Sequence, residues 1–282
     1  MSATVQPSLL ISSEKLLSQL DDKTVLPIFV GSEAVFEQAH IPGAVHIAPA
    51  ELLCGIAPAV GKMAELDDLA ALFSRLGLTA AHTVVAYDDE GGGWAGRLIW
   101  TLDIIGHQHY HYLDGGLIAW HGEGRPLNQG RAHPAANTKA NTYPVEIQTA
   151  QRITAEGIIE QLGDEKFAIW DARSAAEYRG EKVLAARGGH IPGAINLDWL
   201  ELMDRGNHLK LKPLEEIKNR LQEIGLPLDA AIVTHCQTHH RSGLSYLVGK
   251  LLGLDIKAYD GSWSEWGNLP HSPIETHTDN AP

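Results

Sequence analysis

The stretch Ile232-Val233-Thr234-His235-Cys236-Gln237-Thr238-His239-His240-Arg241-Ser242-Gly243 reads as an apolar run, a cysteine, a short polar loop and the opening of a helix. Ile232 to His235 have the character of a buried strand, and Leu244, Leu247, Val248, Leu251 and Leu252 then recur at helical spacing. Cys236 therefore stands at the carboxyl end of a strand where the chain crosses to a helix, the place where open α/β sheets bind their ligands. The first amides of such a helix have no intrahelical partner. They can converge on the sulfur as an anion-binding nest, with the helix dipole adding partial positive charge. Arg241 is permanently charged, and His239 and His240 are chargeable near neutrality, so all three are expected to favour thiolate. An unperturbed cysteine, with a pKa of about 8.5, is only slightly ionised at neutral pH, whereas such surroundings lower it to roughly 3.5–7.5. The expectation is a reactive thiolate, against the alternative of a buried cysteine that only fills space.

At 282 residues the chain suits one large domain or two of ordinary size. A formal charge of −13 argues against nucleic acid or an anionic membrane surface as partner, and leaves room for a local pocket that takes a small anion. Cys54 and Cys236, the two cysteines, support no disulfide framework and fit a reducing cytoplasm. Residues 1–7 lack the basic start and apolar core of a secretion signal, and no apolar run approaches transmembrane length.

An internal repeat organises the rest. His40-Ile41-Pro42-Gly43-Ala44-Val45 returns as His190-Ile191-Pro192-Gly193-Ala194-Ile195. Val84 to Asp88 match Ile232 to Cys236, and Asp114-Gly115-Gly116 with Trp120 matches Asp260-Gly261-Ser262 with Trp266. Three landmarks in one order at nearly constant separation mean two copies of one domain. The division is 1–127, a polar linker over 128–149 that drapes the surface, and 150–282, with a tail from Leu269 expected to be poorly ordered at its end.

Each copy alternates strand and helix. In the first, Ser13 is expected to cap a helix carrying Leu16, Leu17 and Leu20. Val25 to Val30 is a strand, a helix with Leu69, Leu72, Phe73 and Leu76 ends at Gly77, and Thr83 to Tyr87 is the next strand. In the second, Ile158, Ile159 and Leu162 lie on the first helix and Phe167 to Trp170 is its strand. Pro213 opens a helix with Leu214, Ile217, Leu221 and Ile224 that Gly225 closes. The alternation predicts an α/β fold, each copy a mainly parallel sheet flanked by helices on both faces.

Two chemistries use a cysteine in a cradle of amides closed by an arginine, and they differ in loop length. Cysteine phosphatases place five residues between the two, enough to wrap the oxygens of a phosphate. Here four separate Cys236 from Arg241, a cradle for a smaller terminal atom such as the outer sulfur of a persulfide. At this point the chain resembles the rhodanese sulfurtransferases, and the run Cys236-Gln237-Thr238-His239-His240-Arg241 looks like that of bacterial tandem-domain members. The likeness spans both copies through the His-x-Pro-Gly-Ala and Asp-Gly-Gly boxes. It implies two rhodanese-like domains and catalysis in the second. There Cys236 is the nucleophile, and residues 237–242, including Ser242, hold the substrate. Asp171 and Arg173, matching the family's Asp-x-Arg, brace neighbouring loops by charge-assisted hydrogen bonds. Arg97 begins Arg-Leu-Ile-Trp, like the corresponding run of the family's first domain, and is expected to join the domains.

Departures bear on the donor. Mammalian-type thiosulfate sulfurtransferases have an arginine where Glu177 stands and a basic residue where Thr238 stands, and the Cys-Gly-x-Gly of mercaptopyruvate sulfurtransferases is absent. Arg179 and Arg187 are candidates to supply the positive charge instead. Arg241 has two open roles, binding the donor's anionic group or holding the loop through a carboxylate.

In the first copy Asp88 takes the position of Cys236, followed by Asp89 and Glu90. Clustered acids are expected to repel an anion, so this copy is non-catalytic; the alternative is a divalent-cation site on the three acids. His107, His109 and His111 alternate and, on a strand, would share one face as a weak chelator, though no cysteine or carboxylate stands beside them. His40 and His190 are expected to bond a turn, and His235, one residue before Cys236, to point to the opposite face. No metal or cofactor is expected beyond a covalent persulfide on Cys236.

The implied activity is double displacement. A small anionic donor, thiosulfate or 3-mercaptopyruvate, leaves a sulfur on Cys236, and cyanide, a thiol, a dithiol or a sulfur-using protein removes it. The rivals are a phosphatase or arsenate reductase, and a non-catalytic module that senses persulfide or redox state.

Overall fold

The structure is a computed structural model that describes residues 9–131, 143–145 and 147–276. The start of the chain, the linker residues 132–142 and 146, and the end of the tail from 277 lie outside the described residues.

The first half runs β1 (Leu10–Ile11), α1 (Ser13–Leu17), β2 (Val25–Val30), α2 (Glu33–Gln38), β3 (Val45–Ile47), α3 (Leu66–Arg75), β4 (Thr83–Tyr87), α4 (Gly93–Ile104), β5 (Tyr110–Leu113) and α5 (Gly116–Gly122). The second runs α6 (Ala155–Ile159), β6 (Phe167–Asp171), α7 (Ala175–Tyr178), β7 (Ile195–Asn196), a short hairpin of β8 (Met203–Asp204) and β9 (Lys210–Leu211), α8 (Leu214–Glu223), β10 (Ala231–His235), α9 (Arg241–Leu251), β11 (Ile256–Ala258) and α10 (Ser262–Trp266).

The strands form a sheet in the order β1-β5-β4-β2-β3 and another in the order β11-β10-β6-β7, every pair parallel. β4 and β10, the strands that end at Asp88 and Cys236, are interior in both sheets. Side chains alternate across each sheet as the period of two requires: Ile28 and Val30 face one core and Phe29 another, and Ile232 and Val233 divide in the same way. Helices therefore cover both faces, as predicted.

One core is shared by the halves. Leu98, Ile99 and Trp100 of α4 and Leu244, Tyr246 and Leu247 of α9 belong to a single buried cluster. Both helices are apolar nearly all round because each packs on its own sheet and on the other helix. Glycines let the backbones touch: a Cβ on Gly96 would lie 2.2 Å from the Gly243 carbonyl oxygen. Asp103 of α4 fastens the far end, accepting from the Tyr246 hydroxyl at 2.6 Å and pairing with Lys250 at 2.6 Å. As α4 and α9 begin directly after the Asp88 and Cys236 loops, this packing sets the two loops against each other.

Some local expectations move. Ser12, one residue earlier than expected, caps α1 by accepting from the Lys15 amide, and the helix ends before Leu20. Leu162 falls in a turn after α6. β5 starts only at Tyr110, so the three alternating histidines do not share a strand; His107 is buried and bonds the Tyr143 hydroxyl and the His109 carbonyl. No grouping of three or more metal-ligating side chains occurs among the described residues. The repeated boxes do bond turns: His40 Nδ1 lies 2.8 Å from the Phe36 carbonyl and His190 Nδ1 2.9 Å from that of Tyr178, each ring stacked on that same aromatic. The tail is tied down as far as Glu275, which exchanges backbone hydrogen bonds with His190. Among the described residues no helix is long and apolar enough to cross a membrane.

Candidate active site

Cys236 follows β10 and is 1% exposed. Its amide donates to Ser262 Oγ, and its carbonyl and that of Gln237 accept from the amides of Trp263 and Ser264 at 2.9 Å, so the start of α10 pins the base of the loop. Gln237 extends its side-chain amide to the Leu184 carbonyl. At His239 the backbone turns into the left-handed region, φ +54°, where a non-glycine residue persists only if its surroundings hold it. They do: His239 is fully buried, its Nδ1 2.7 Å from Ser242 Oγ and its ring meeting Trp100 edge-on at 4.7 Å.

Among the described residues the amides of 237–241 donate to no backbone carbonyl, and His240, at the start of α9, gives no side-chain cap. Ser242 turns both its hydroxyl and its amide toward the sulfur. Burial pushes the Cys236 thiol up, but Arg241, the two donors of Ser242 and His240 together outweigh it and leave the thiol below its ordinary value. The shift runs in the direction the loop composition predicts, with one correction. His239 adds no charge, because burial and the neighbouring Arg97 hold it well below the usual imidazole range.

Arg241 does not stand free for a donor. It makes a bidentate pair with Glu177, at 2.7 and 2.8 Å, and so holds the loop through a carboxylate. Glu177 lies at the third position of α7, where Ser174 caps the helix and donates to the same carboxylate at 2.8 Å. Burial raises the Glu177 carboxyl, but Arg241, Ser174 and Arg173 bring it down to about 2. Sequence reasoning missed this partner. The Ser174-x-x-Glu177 capping box was the available signal, marking a side chain that folds back toward the helix start.

Asp171 and Arg173 brace the floor: a fully buried bidentate pair, with Arg173 also donating to the Gly189 carbonyl at 2.8 Å and stacked over Trp263. His235 is buried, with Nε2 3.6 Å from Asp171, and burial lowers its pKa. Arg179 pairs with Glu181 on the surface, and Arg187 gathers the carbonyls of Trp266, Leu269 and Ser272. Neither stands in for the basic residues that the loop lacks.

The first copy supplies the facing wall. Glu90 pairs with His240, whose ring stacks on Trp94 at 4.3 Å and leans on Trp199. Arg97, fully buried, makes its side-chain hydrogen bonds within the first copy while its charge reaches His239 of the second. It donates to the carbonyls of Gly61 and Leu52 and so fixes the loop between them. That loop meets the second copy: Met63 donates to Asp260 at 2.9 Å, and a Cβ on Gly61 would lie 2.4 Å from the Thr238 carbonyl oxygen. Gly61→Ala is therefore expected to push the catalytic loop out of register and lower sulfur transfer about tenfold, as steady-state rates would measure.

The Asp88 loop adds to the expectation of a non-catalytic copy, because the place an anion would take is already filled. The Asp88 carboxylate is itself the anion in the nest. Oδ1 accepts from the amides of Glu90, Gly91 and Gly92 and Oδ2 from that of Ala95, at 2.9 to 3.2 Å. Burial and Glu90 push Asp88 up to about 6 against the pull of those amides. With its oxygens so engaged and Glu90 on His240, the three acids do not converge on a cation. Asp88→Ala leaves the donors without an acceptor, and denaturant unfolding is expected to show a loss of about 2 kcal/mol.

Residues 12–123 and 154–269 each match the family described as the rhodanese-like domain. A thiosulfate sulfurtransferase of Azotobacter vinelandii is 47% identical over 95% of this chain and 97% of its own, and one of Pseudomonas aeruginosa is 44% identical over the same shares. Human 3-mercaptopyruvate sulfurtransferase is 33% identical over 82% of this chain and 78% of its own. Among solved structures, an anaerobic ergothioneine biosynthesis enzyme from Chlorobium limicola superposes with a TM-score of 0.85 at 22% identity, covering 96% of this chain and 71% of that one, a likeness of fold.

Proposed function

The chain belongs to the rhodanese-like family, with two copies of its domain, and from that premise we propose that it is a sulfurtransferase carrying the outer sulfur of thiosulfate on Cys236 to cyanide or a thiol. The observation that carries this reading is the contrast between the two nests. The same strand-loop-helix turn closes four amides on a carboxylate at Asp88, and at Cys236 leaves the amides of 237–241 without a backbone acceptor among the described residues. A nest that holds a carboxylate in one copy suits, in the other, the charge that develops on a persulfide.

The Cys236 thiolate attacks the outer sulfur of thiosulfate; the S–S bond of the donor breaks, sulfite leaves with the electron pair, and Cys236 keeps a terminal sulfur. Cyanide, or a thiolate from a small dithiol or a sulfur-using protein, then attacks that sulfur and returns Cys236 to thiolate. Gln237, Thr238, His239, His240, Arg241 and Ser242 lend their amides to both steps. Arg241, locked on Glu177, shapes the loop and favours the thiolate. No further cofactor takes part. The Cys-Gln-Thr-His-His-Arg loop is of the bacterial tandem type, and two free thiols suit the cytoplasm.

Initial rates with thiosulfate and cyanide test this. Parallel double-reciprocal lines with thiocyanate formed are expected, since the first product leaves before the acceptor binds. Intersecting lines, or thiocyanate from 3-mercaptopyruvate only, would count against it.

A further inference from the structure

Ser242 has one hydroxyl proton and two neighbours that need it accounted for. Its hydroxyl faces Sγ of Cys236, and its oxygen lies 2.7 Å from Nδ1 of His239. If the hydroxyl donates to a thiolate, it can only accept from His239, so Nδ1 must carry the imidazole proton. Nε2 must then be bare. It is buried without a hydrogen-bond partner, and the ring stands perpendicular to that of Trp100 at 4.7 Å. The opposite tautomer would bury an unpaired N–H there and turn the Ser242 proton away from the sulfur.

We infer that His239 is a positioning residue of the sulfur-transfer site: held as its Nδ1–H tautomer, it orients the Ser242 hydroxyl as a donor to the Cys236 sulfur. The left-handed backbone at His239 and its complete burial serve this orientation. His239 is not a base, because the imidazole stays neutral and no proton passes to it. The chain of contacts Cys236, Ser242, His239 lies within one loop, apart from the charged groups around it: Arg241 and His240, which lower the thiol, Arg97 on α4, which feels the charge of the sulfur, Glu177 and Asp171, which act on Arg241, and Arg173 and His235, which face Asp171.

The inference rests on the reading of Cys236 as nucleophile, and alkylation separates the two, since it reports the thiolate whatever the donor. After cyanide treatment to strip bound sulfur, iodoacetamide labelling of Cys236 is followed from pH 5 to 10 by peptide mass. Ser242→Ala and His239→Leu are each expected to raise the midpoint by about one pH unit, the loss of one hydrogen bond to a charged group. The double variant should shift no further than either single one. His239→Asn, whose amide can replace Nδ1–H, should stay within a few tenths of a unit of the unaltered protein. Should a variant fold poorly, two-bond ¹H–¹⁵N spectra of the unaltered protein decide instead, with Nδ1–H expected at His239 while Cys236 is ionised. His239→Leu leaving the midpoint unmoved, His239→Asn shifting as far as His239→Leu, or an Nε2–H tautomer would overturn the inference. An unaltered Cys236 that titrates as an ordinary thiol would overturn the thiolate reading and the inference with it.

Discussion

Cys236→Ser is expected to reduce sulfur transfer from thiosulfate to cyanide by on the order of 10³-fold or more, the scale on which removal of a covalent nucleophile acts. The argument is chemical before it is structural. A persulfide needs a sulfur to be attached to, and a serine hydroxyl is neither ionised at neutral pH nor able to carry a sulfane atom. The fold should not notice the change. Cys236 is buried, but its backbone is held at both ends by Ser262 and Trp263 and its side chain is nearly isosteric with serine. Thiocyanate formation and thermal unfolding measured together separate the two effects. Retained transfer would mean that the sulfur travels by another route, and Cys54 is the other thiol of the chain.

Glu177→Gln should be the most destabilising of the conservative changes at the site. The carboxyl sits at about 2 in the folded protein against an ordinary value of 4.5, so its ionised form contributes roughly 3 kcal/mol at neutral pH. Glutamine keeps the shape but takes from the Arg241 guanidinium, which cannot deprotonate, the carboxylate with which it makes its bidentate pair. The pH dependence follows from the depressed carboxyl. The stabilisation is fully present above about 4.5, fades as the pH falls through the interval down to about 2, and is gone below it. Urea unfolding of both proteins should therefore differ by roughly 3 kcal/mol at pH 7 and converge toward pH 2. A constant small difference across that range would show that the pair contributes little.

Much of this was legible in the chain. The repeat of the His-x-Pro-Gly-Ala box and the strand before Cys236 set the number of domains, and strict alternation of strand and helix set the parallel sheets. Gly77 and Gly225 end helices because both adopt positive φ after the last turn. What stayed hidden depended on pairings far apart in sequence. Nothing near Arg241 tells it from a donor-binding arginine until Glu177 is seen across the site. The adjacent His239 and His240 look alike in sequence, yet one turns into the core against Trp100 and the other outward to Glu90, a choice made by a single positive φ. That Asp88 fills its own nest stayed hidden too, because the amides that close around it are invisible in a string of acidic letters. The role of the first copy as a wall was only half visible. α4 is apolar on nearly every side, which requires a second covering surface but does not name it.

The central claim is that Cys236 carries the transferred sulfur, and intact mass tests it most directly. The protein is weighed after thiosulfate and again after cyanide. The account predicts a gain of one sulfur atom that maps to Cys236 and disappears with cyanide. A protein that gains no sulfur from thiosulfate, or gains it elsewhere than on Cys236, would contradict it.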